Sequence, residues 1–141
     1  DCVVVGAGMT GLETAEVLLK AGHRTTVVDQ LASIGTGVFI LVIRDVQERM
    51  EPYHPEYLPG HRLIAITKEG VQLDGPEGTR FVPADTVILA LGVRPKREVA
   101  EAFINAFPHV RVVGDAVHCG RILEATKDAF GQAFVFEPEL V

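Results

Sequence analysis

The sequence predicts an α/β fold: a parallel sheet with helices packed on it and an antiparallel β-meander inserted into the chain. Three observations carry that prediction. The opening "CVVVGAGMTGLETAEVLLKAGHRTTVVD" passes from an apolar β-branched run through a glycine turn and a helix-period segment to a second apolar run, the pattern of a βαβ unit with a right-handed crossover. Between residues 62 and 82 the period changes to short strand-like pieces split by turn formers, as in a meander. "DTVILAL" then returns to a continuous apolar run, of the kind buried on both faces of a parallel sheet.

Each element follows from local chemistry. "CVVV" ends in glycines and reads as the first strand. Met9 to Ala21 places Leu12, Ala15 and Leu19 at helical spacing, offers Glu16 and Lys20 as an i,i+4 pair, and stops at Gly22. "RTTVVD" is the second strand. After the loop "LASIGTG", residues 38 to 50 predict a helix with Val38, Leu41, Val42 and Val46 on its inward side, bounded by Pro52 and Pro55. A short third strand is expected at Glu56 to Leu58, crowded by Pro55 and Pro59. "RLIAIT", "GVQL" and "TRFV", separated by "KEG" and "DGPEG", make the meander, and "DTVILAL" makes a further buried strand closing on "GVRP". A helix over Arg97 to Ala106, a strand "VRVV" ending in "GDA" and a helix over Ile122 to Phe134 complete the chain. Residues 92 to 97 are the expected crossover between a domain over 1–95 and a segment over 96–141.

Composition narrows the function. A chain of 141 residues, 48% of them apolar, can bury a core and hold one domain or one domain with part of another. A net charge of -6 argues against a nucleic-acid partner, because such proteins gather Lys and Arg on one face. Cys2 and Cys119 stand far apart with no C-x-x-C pair, so neither a disulfide framework nor a redox dithiol is indicated, which fits a reducing cytoplasm. The longest apolar runs, such as "VFILVI", fall far short of the roughly 20 residues of a spanning helix, and no signal peptide precedes the first strand; no membrane partner is expected. That strand begins within about one residue of Asp1, where a natural terminus usually leaves slack, so an excised fragment is expected. The five histidines are scattered, which argues against a metal site. No Ser-His-Asp or Cys-His arrangement supports nucleophilic catalysis, so no catalytic side chain is expected and the chemistry falls to a cofactor.

The stretch Gly6, Ala7, Gly8, Met9, Thr10 and Gly11 is a G-x-G-x-x-G loop between strand and helix. Its first glycine lets the chain turn sharply, its second lets backbone approach a pyrophosphate, and its third lets the helix pack on the sheet. The helix N-terminus then offers free N–H groups and a positive dipole end. Asp29 follows Gly11 by eighteen positions, at the end of the second strand, which is the context the Rossmann-like dinucleotide fingerprint requires. The competing reading leaves the glycines a tight βα turn and nothing more. A carboxylate at Asp29 can accept from the ribose hydroxyls and would repel a 2′-phosphate. From Gln30 onward no Lys or Arg occurs until Arg44, and Arg24 lies at the other end of its strand, so NAD(H) is favoured over NADP(H). Glu13 either complements the helix dipole or helps orient the nicotinamide. Leu91 and Gly92, after a strand, permit close backbone approach to a ligand. Gly114 and Asp115 put a carboxylate at another strand end, where Asp115 is either a helix cap or a ligand group.

Together "GAGMTGLETA", the meander, "ILALGVRP" and "VVGDA" resemble the second half of the two-dinucleotide flavoproteins of the glutathione-reductase-like superfamily of pyridine nucleotide-disulfide oxidoreductases. In these an NAD(P) domain is inserted into an FAD domain. The resemblance implies that Asp115, with Gly114, meets the ribitol or phosphate region of FAD and that Gly92 lines the nicotinamide pocket. The closing "GRILEATKDAFGQA" makes the chain similar to the C-terminal region of the Old Yellow Enzyme-like NADH:flavin oxidoreductases, of the NADH oxidase, 2-enoate reductase and 2,4-dienoyl-CoA reductase types. It departs from that pattern at "VHCGR" and "MEPYHPEY". A complete member carries an earlier FAD glycine loop and an N-terminal barrel with FMN and an iron–sulfur cluster. This sequence has a single G-x-G-x-x-G, no cysteine cluster and no room for a barrel of roughly 250 residues. The resemblance therefore implies half of a machine whose partners are a dinucleotide and the missing FAD and barrel segments, with 96–141 as the return segment of an incomplete FAD domain. Such a fragment is expected to bind NAD(H) without turnover. Two alternatives stay open: an NADH dehydrogenase or ferredoxin-reductase-like flavoprotein, and a non-catalytic NAD(H)-sensing module.

Overall fold

The computed structural model describes residues 1–134 and divides the chain into two compact units, Asp1–Gly92 and a second beginning at Val93. The first contains β1 (Cys2–Val5), α1 (Met9–Lys20), β2 (Thr25–Val28), α2 (Ile40–Met50), β3 (Glu56–Leu58), β4 (Arg62–Ile66), β5 (Gly70–Gly75), β6 (Gly78–Pro83) and β7 (Thr86–Leu89). The second contains α3 (Arg97–Ala106) and α4 (Ile122–Phe134).

β1, β2, β3 and β7 form a parallel sheet in the order β3-β2-β1-β7, while β4, β5 and β6 form the separate antiparallel meander. The strands of the parallel sheet are held in step: Val5 lies opposite Val28 and Leu89, and Val28 opposite Leu58. Their carboxyl ends therefore coincide along one edge, the edge where open α/β sheets receive ligands.

Alternation along the strands gives the sheet two apolar faces. Val3, Val5, Val28 and Leu58 pack against Val71, Leu73 and Val82 of the meander, and Val4 and Val27 pack against Leu12, Ala15 and Leu19 of α1 and Val46 and Met50 of α2. The meander thus takes the place of a second helical layer. Cys2 is buried in β1 as a small apolar side chain. Glu16 is also buried, held by Lys20 Nζ at 2.7 Å and by Arg49 Nε and Nη2 at 2.8 and 3.0 Å. The hydrogen bonds from Arg49, then those from Lys20, pull the Glu16 carboxyl down to about 2. Among the described residues no helix is long and apolar enough to cross a membrane.

Three expectations need correction. α2 turns Ile43, Val46 and Met50 inward, so of the expected face only Val46 is fully buried; Leu41 and Val42 are exposed. The helix meets the core through its C-terminal half, and its first turn stands clear. β7 is not a buried strand: Thr86 and Leu89 are exposed and Val87 and Ile88 half-buried, because among the described residues it is an edge strand paired with β1 alone. "VRVV" forms no strand, since residues 110–113 have no pairing partner among the described residues, and Gly114–Ala116 close into a short 3-10 turn. The last part of the 96–141 segment, residues 135–141, lies outside the described residues.

Candidate functional site

The loop from Gly6 to Gly11 joins β1 to α1 at the carboxyl edge of the sheet. Gly6 has φ +107°, and a Cβ there would stand 2.2 Å from the Ala90 carbonyl oxygen. A Cβ on Gly11 would stand 1.8 Å from the carbonyl oxygen of Gly6. Both glycines are thus demanded by the protein's own backbone. Gly8 differs: a Cβ there would meet nothing within 4 Å, so nothing among the described residues demands a glycine at this position. The backbone fits a pyrophosphate at this place. Gly8 caps α1 in an extended conformation, and the first intrahelical bond runs from the Leu12 N–H to the Gly8 carbonyl at 3.0 Å, so the amides of Met9, Thr10 and Gly11 precede the helical ladder.

Asp29 directly follows β2, and the structure brings it to the loop. Its Oδ2 accepts the Ala7 amide at 2.7 Å and its Oδ1 accepts the Leu31 amide at 2.8 Å. Its own backbone is fixed as well: the Asp29 N–H donates to the Leu58 carbonyl at 3.1 Å and the Asp29 carbonyl accepts the His61 N–H at 2.8 Å. Ala7 is buried, and its carbonyl accepts the Gly35 N–H at 2.9 Å. Gln30 is exposed beside Asp29. Ionised carboxylates hold about four acceptor positions, so two remain on Asp29 for ribose hydroxyls. Arg24, at the opposite end of β2, pairs with Asp1 at 3.2 Å.

The remaining residues fall into three places. Met9 and Thr10 form the first turn of α1, whereas Glu13 lies beyond that turn, which contains no acid. Helix-dipole effects fade within the first turn, so the dipole account of Glu13 has little to act on; its side chain is exposed. Leu91 and Gly92 continue from β7, and the Ala90 N–H donates to the Val5 carbonyl at 2.7 Å, which keeps this stretch beside Gly6. Leu91 is exposed, and Gly92 has φ +82° with nothing within 4 Å of a Cβ. Gly114 and Asp115 belong to the second unit. There the Gly114 amide donates to Asp128 Oδ2 at 2.7 Å, and Asp115 Oδ1 accepts the Gly120 amide at 3.1 Å. Asp115 therefore ties its own loop and is not the cap of α4, which starts seven residues later at Ile122.

Sequence reasoning missed Leu31 and Gly35 as partners of the site, and Asp128 as the anchor of Gly114. The loop "LASIGTG" signalled a turn, but which carbonyl its glycine would meet is a tertiary fact.

Residues 1–126 match the family model described as pyridine nucleotide-disulphide oxidoreductase. Among curated proteins, the bilirubin reductase of Mediterraneibacter gnavus is 34% identical over 113 residues, which make up 80% of this chain and 18% of that protein. The NADH oxidase of Thermoanaerobacter brockii is 30% identical over 136 residues, 95% of this chain and 21% of that one. The chain thus spans about a fifth of the length of these relatives. Of solved structures, a 2-naphthoyl-CoA reductase complex matches with TM-score 0.80 at 22% identity, over 96% of this chain and 21% of that chain. A water-forming NADH oxidase from Lactobacillus brevis bound to NADH matches with TM-score 0.57 at 24% identity, over 72% of this chain and 23% of that chain. With a strand-to-helix glycine loop, an acid after the second strand and a family match over most of its length, the chain belongs to the pyridine nucleotide-disulphide oxidoreductase family.

Proposed function

We propose that the chain is the NAD(H)-binding part of a flavin-dependent NADH oxidoreductase of the Old Yellow Enzyme-like type. Gly6 to Gly11 would hold the pyrophosphate, Asp29 and Gln30 the adenosine ribose, and Glu13, Leu91 and Gly92 the nicotinamide end. Gly114 and Asp115 would meet FAD, within a segment over 96–141 that the rest of the parent completes. The observation that carries this reading is the Asp29 carboxylate, held 2.7 Å from the Ala7 amide of the glycine loop.

Gly6 to Gly11, Asp29 and Gln30 would hold NADH, which when bound would supply the hydride whose two electrons the parent's flavins would use to reduce an activated C=C bond. The chain's own residues orient and select. Amides at the start of α1 meet the pyrophosphate charge, Asp29 accepts from the ribose hydroxyls while repelling a 2′-phosphate, and the side-chain-free Gly8 leaves the loop open for the cofactor backbone. One comparison supports the NADH-dependent reading: the T. brockii relative is named NADH oxidase. Both cysteines are free, in keeping with a cytoplasmic setting.

Calorimetric titration of the chain with NADH, NADPH and FAD tests the proposal. The expected result is NADH binding at micromolar to sub-millimolar strength, much weaker NADPH binding and no response to FAD. Tight FAD binding would reassign the glycine loop to the other cofactor.

A further inference from the structure

The Ala7 peptide is held from both sides by groups distant in sequence. Its N–H donates to Asp29 Oδ2 at 2.7 Å, and its C=O accepts the Gly35 N–H at 2.9 Å. Asp29 and Gly35 bracket the loop over 30–34, whose start is fixed by the Leu31 amide on Asp29 Oδ1 at 2.8 Å. The 29–35 segment therefore closes on the peptide that directly precedes Gly8.

We propose that Asp29 is a positioning residue for the glycine loop as well as a ribose acceptor, and that with Gly35 it clamps the Ala7 peptide so that the loop is set before any dinucleotide arrives. Three steps lead there. Carboxylate–amide bonds are charge-assisted and roughly twice as strong as neutral ones. The bond to Ala7 fixes the peptide plane one residue before the helix cap, and with it the direction of the amides that follow. The clamp uses one acceptor position on each Asp29 oxygen, so the free positions face the ribose at a fixed angle.

The inference rests on the NAD(H) reading for its ligand, but its structural half concerns the chain by itself. A purely electrostatic role for Asp29 predicts that removing the charge raises NADPH affinity and leaves the loop unmoved. The clamp predicts that Asp29→Ala weakens NADH and NADPH alike, each by about tenfold or more.

The experiment combines nitrogen-15 NMR of the 141-residue chain with titration of NADH and NADPH, on the unsubstituted chain, Asp29→Ala and Asp29→Asn. In Asp29→Ala, without dinucleotide, both the Ala7 and Leu31 amide resonances should move upfield and exchange faster. Asn keeps one side-chain oxygen, so Asp29→Asn should retain one of the two bonds and shift only one amide, with an intermediate loss of affinity. This partial rescue is a result that a general loss of stability would not give, and it stands even if Asp29→Ala fails to fold. Unmoved Ala7 and Leu31 amides in Asp29→Asn, or an unchanged NADH affinity in Asp29→Ala, would overturn the clamp. Failure of the unsubstituted chain to bind either dinucleotide would sink the cofactor reading instead, while the amide shifts would still decide the clamp.

Discussion

One methyl group separates the glycines of the loop into two kinds. At Gly6 and Gly11 an added Cβ would drive into backbone at 2.2 and 1.8 Å, where nothing can move aside cheaply. Gly6→Ala and Gly11→Ala should each cost more than the roughly 1–3 kcal/mol of ordinary overpacking and show it as a large drop in melting temperature, with or without cofactor. Gly8→Ala should change stability by no more than about 1 kcal/mol, the scale of a helix cap, yet weaken NADH binding by at least about tenfold, since its methyl would enter the space the pyrophosphate needs. Thermal melting beside calorimetry separates the two; equal affinity in Gly8→Ala would remove Gly8 from the site. Tyr57 poses a different test. Its hydroxyl is buried with no hydrogen-bond partner among the described residues, and burial pushes the phenol's pKa up. An unpaired buried hydroxyl is unfavourable, so Tyr57→Phe should hold the melting temperature or raise it by up to about 1 kcal/mol equivalent. A clear loss of stability would mean that a bound water or ligand serves the hydroxyl.

At the scale of elements, α1 and α2 are joined by charge as well as by packing. Glu16 of α1 bonds Lys20 on its own helix and, through both oxygens, Arg49 on α2, while Arg49 also pairs with Asp45. Its carboxyl sits at about 2 in the folded chain against 4.5 ordinarily. A lowered folded pKa means that its contribution is complete above 4.5 and fades as pH falls toward 2. The urea midpoint of the unsubstituted chain should therefore exceed that of Glu16→Gln near neutral pH, and the gap should close steadily between pH 4.5 and 2. A gap that stays constant with pH would show that packing, not ionisation, makes the difference. Only half of this was legible in the sequence: the spacing of Glu16 and Lys20 revealed the local pair, but Arg49 is brought in by tertiary packing, which no helical period reports. The same divide runs through the other elements. β1, β2 and the meander were readable because β-branched runs and turn formers act locally. The inward side of α2 was not, because six apolar residues in a row, Val38 to Ile43, give no face a clear advantage; Ile43, Val46 and Met50 prevail since that half of the helix lies over the sheet. "VRVV" has the composition of a strand, but a strand also needs a neighbour. At the site, the glycine spacing and Asp29 were legible from sequence, whereas the bonds from Ala7 to Asp29 and Gly35 join residues that only the fold makes neighbours.

For the whole molecule, the two units differ in what they bury. The first has apolar cores on both faces of its sheet. No described residue from Val93 to Phe134 is buried, although α3 and α4 carry Val99, Phe103, Ile122 and Phe130 in exposed positions. Phe103 stacks on Phe107 and Phe130 on Phe134, with ring centroids 6.2 and 5.6 Å apart, but such i,i+4 pairs add only a few tenths of a kcal/mol to a helix. Helices of 10 and 13 residues are marginal in water unless an apolar face is covered. Local stability should accordingly be graded along the chain, with free energies of opening near the global value in β1 and β2 and close to zero in α3 and α4. Hydrogen–deuterium exchange on the chain alone would check this: amides of Val3 to Val5 and Val27 to Val28 should remain protected long after those of 97–106 and 122–134 have exchanged. Saturating NADH should slow exchange in the first unit, as ligand binding raises the stability of the state it selects, and leave α4 unchanged. Under the proposed function, co-expression with the FAD-bearing segments that it calls for should slow exchange in α3 and α4 as well, because covering their apolar faces supplies the stabilisation that each helix lacks alone. Strong protection of α4 in the strictly monomeric chain would contradict this account, since the protecting contacts would have to come from within the 141 residues and the segment over 96–141 would stand as a domain of its own.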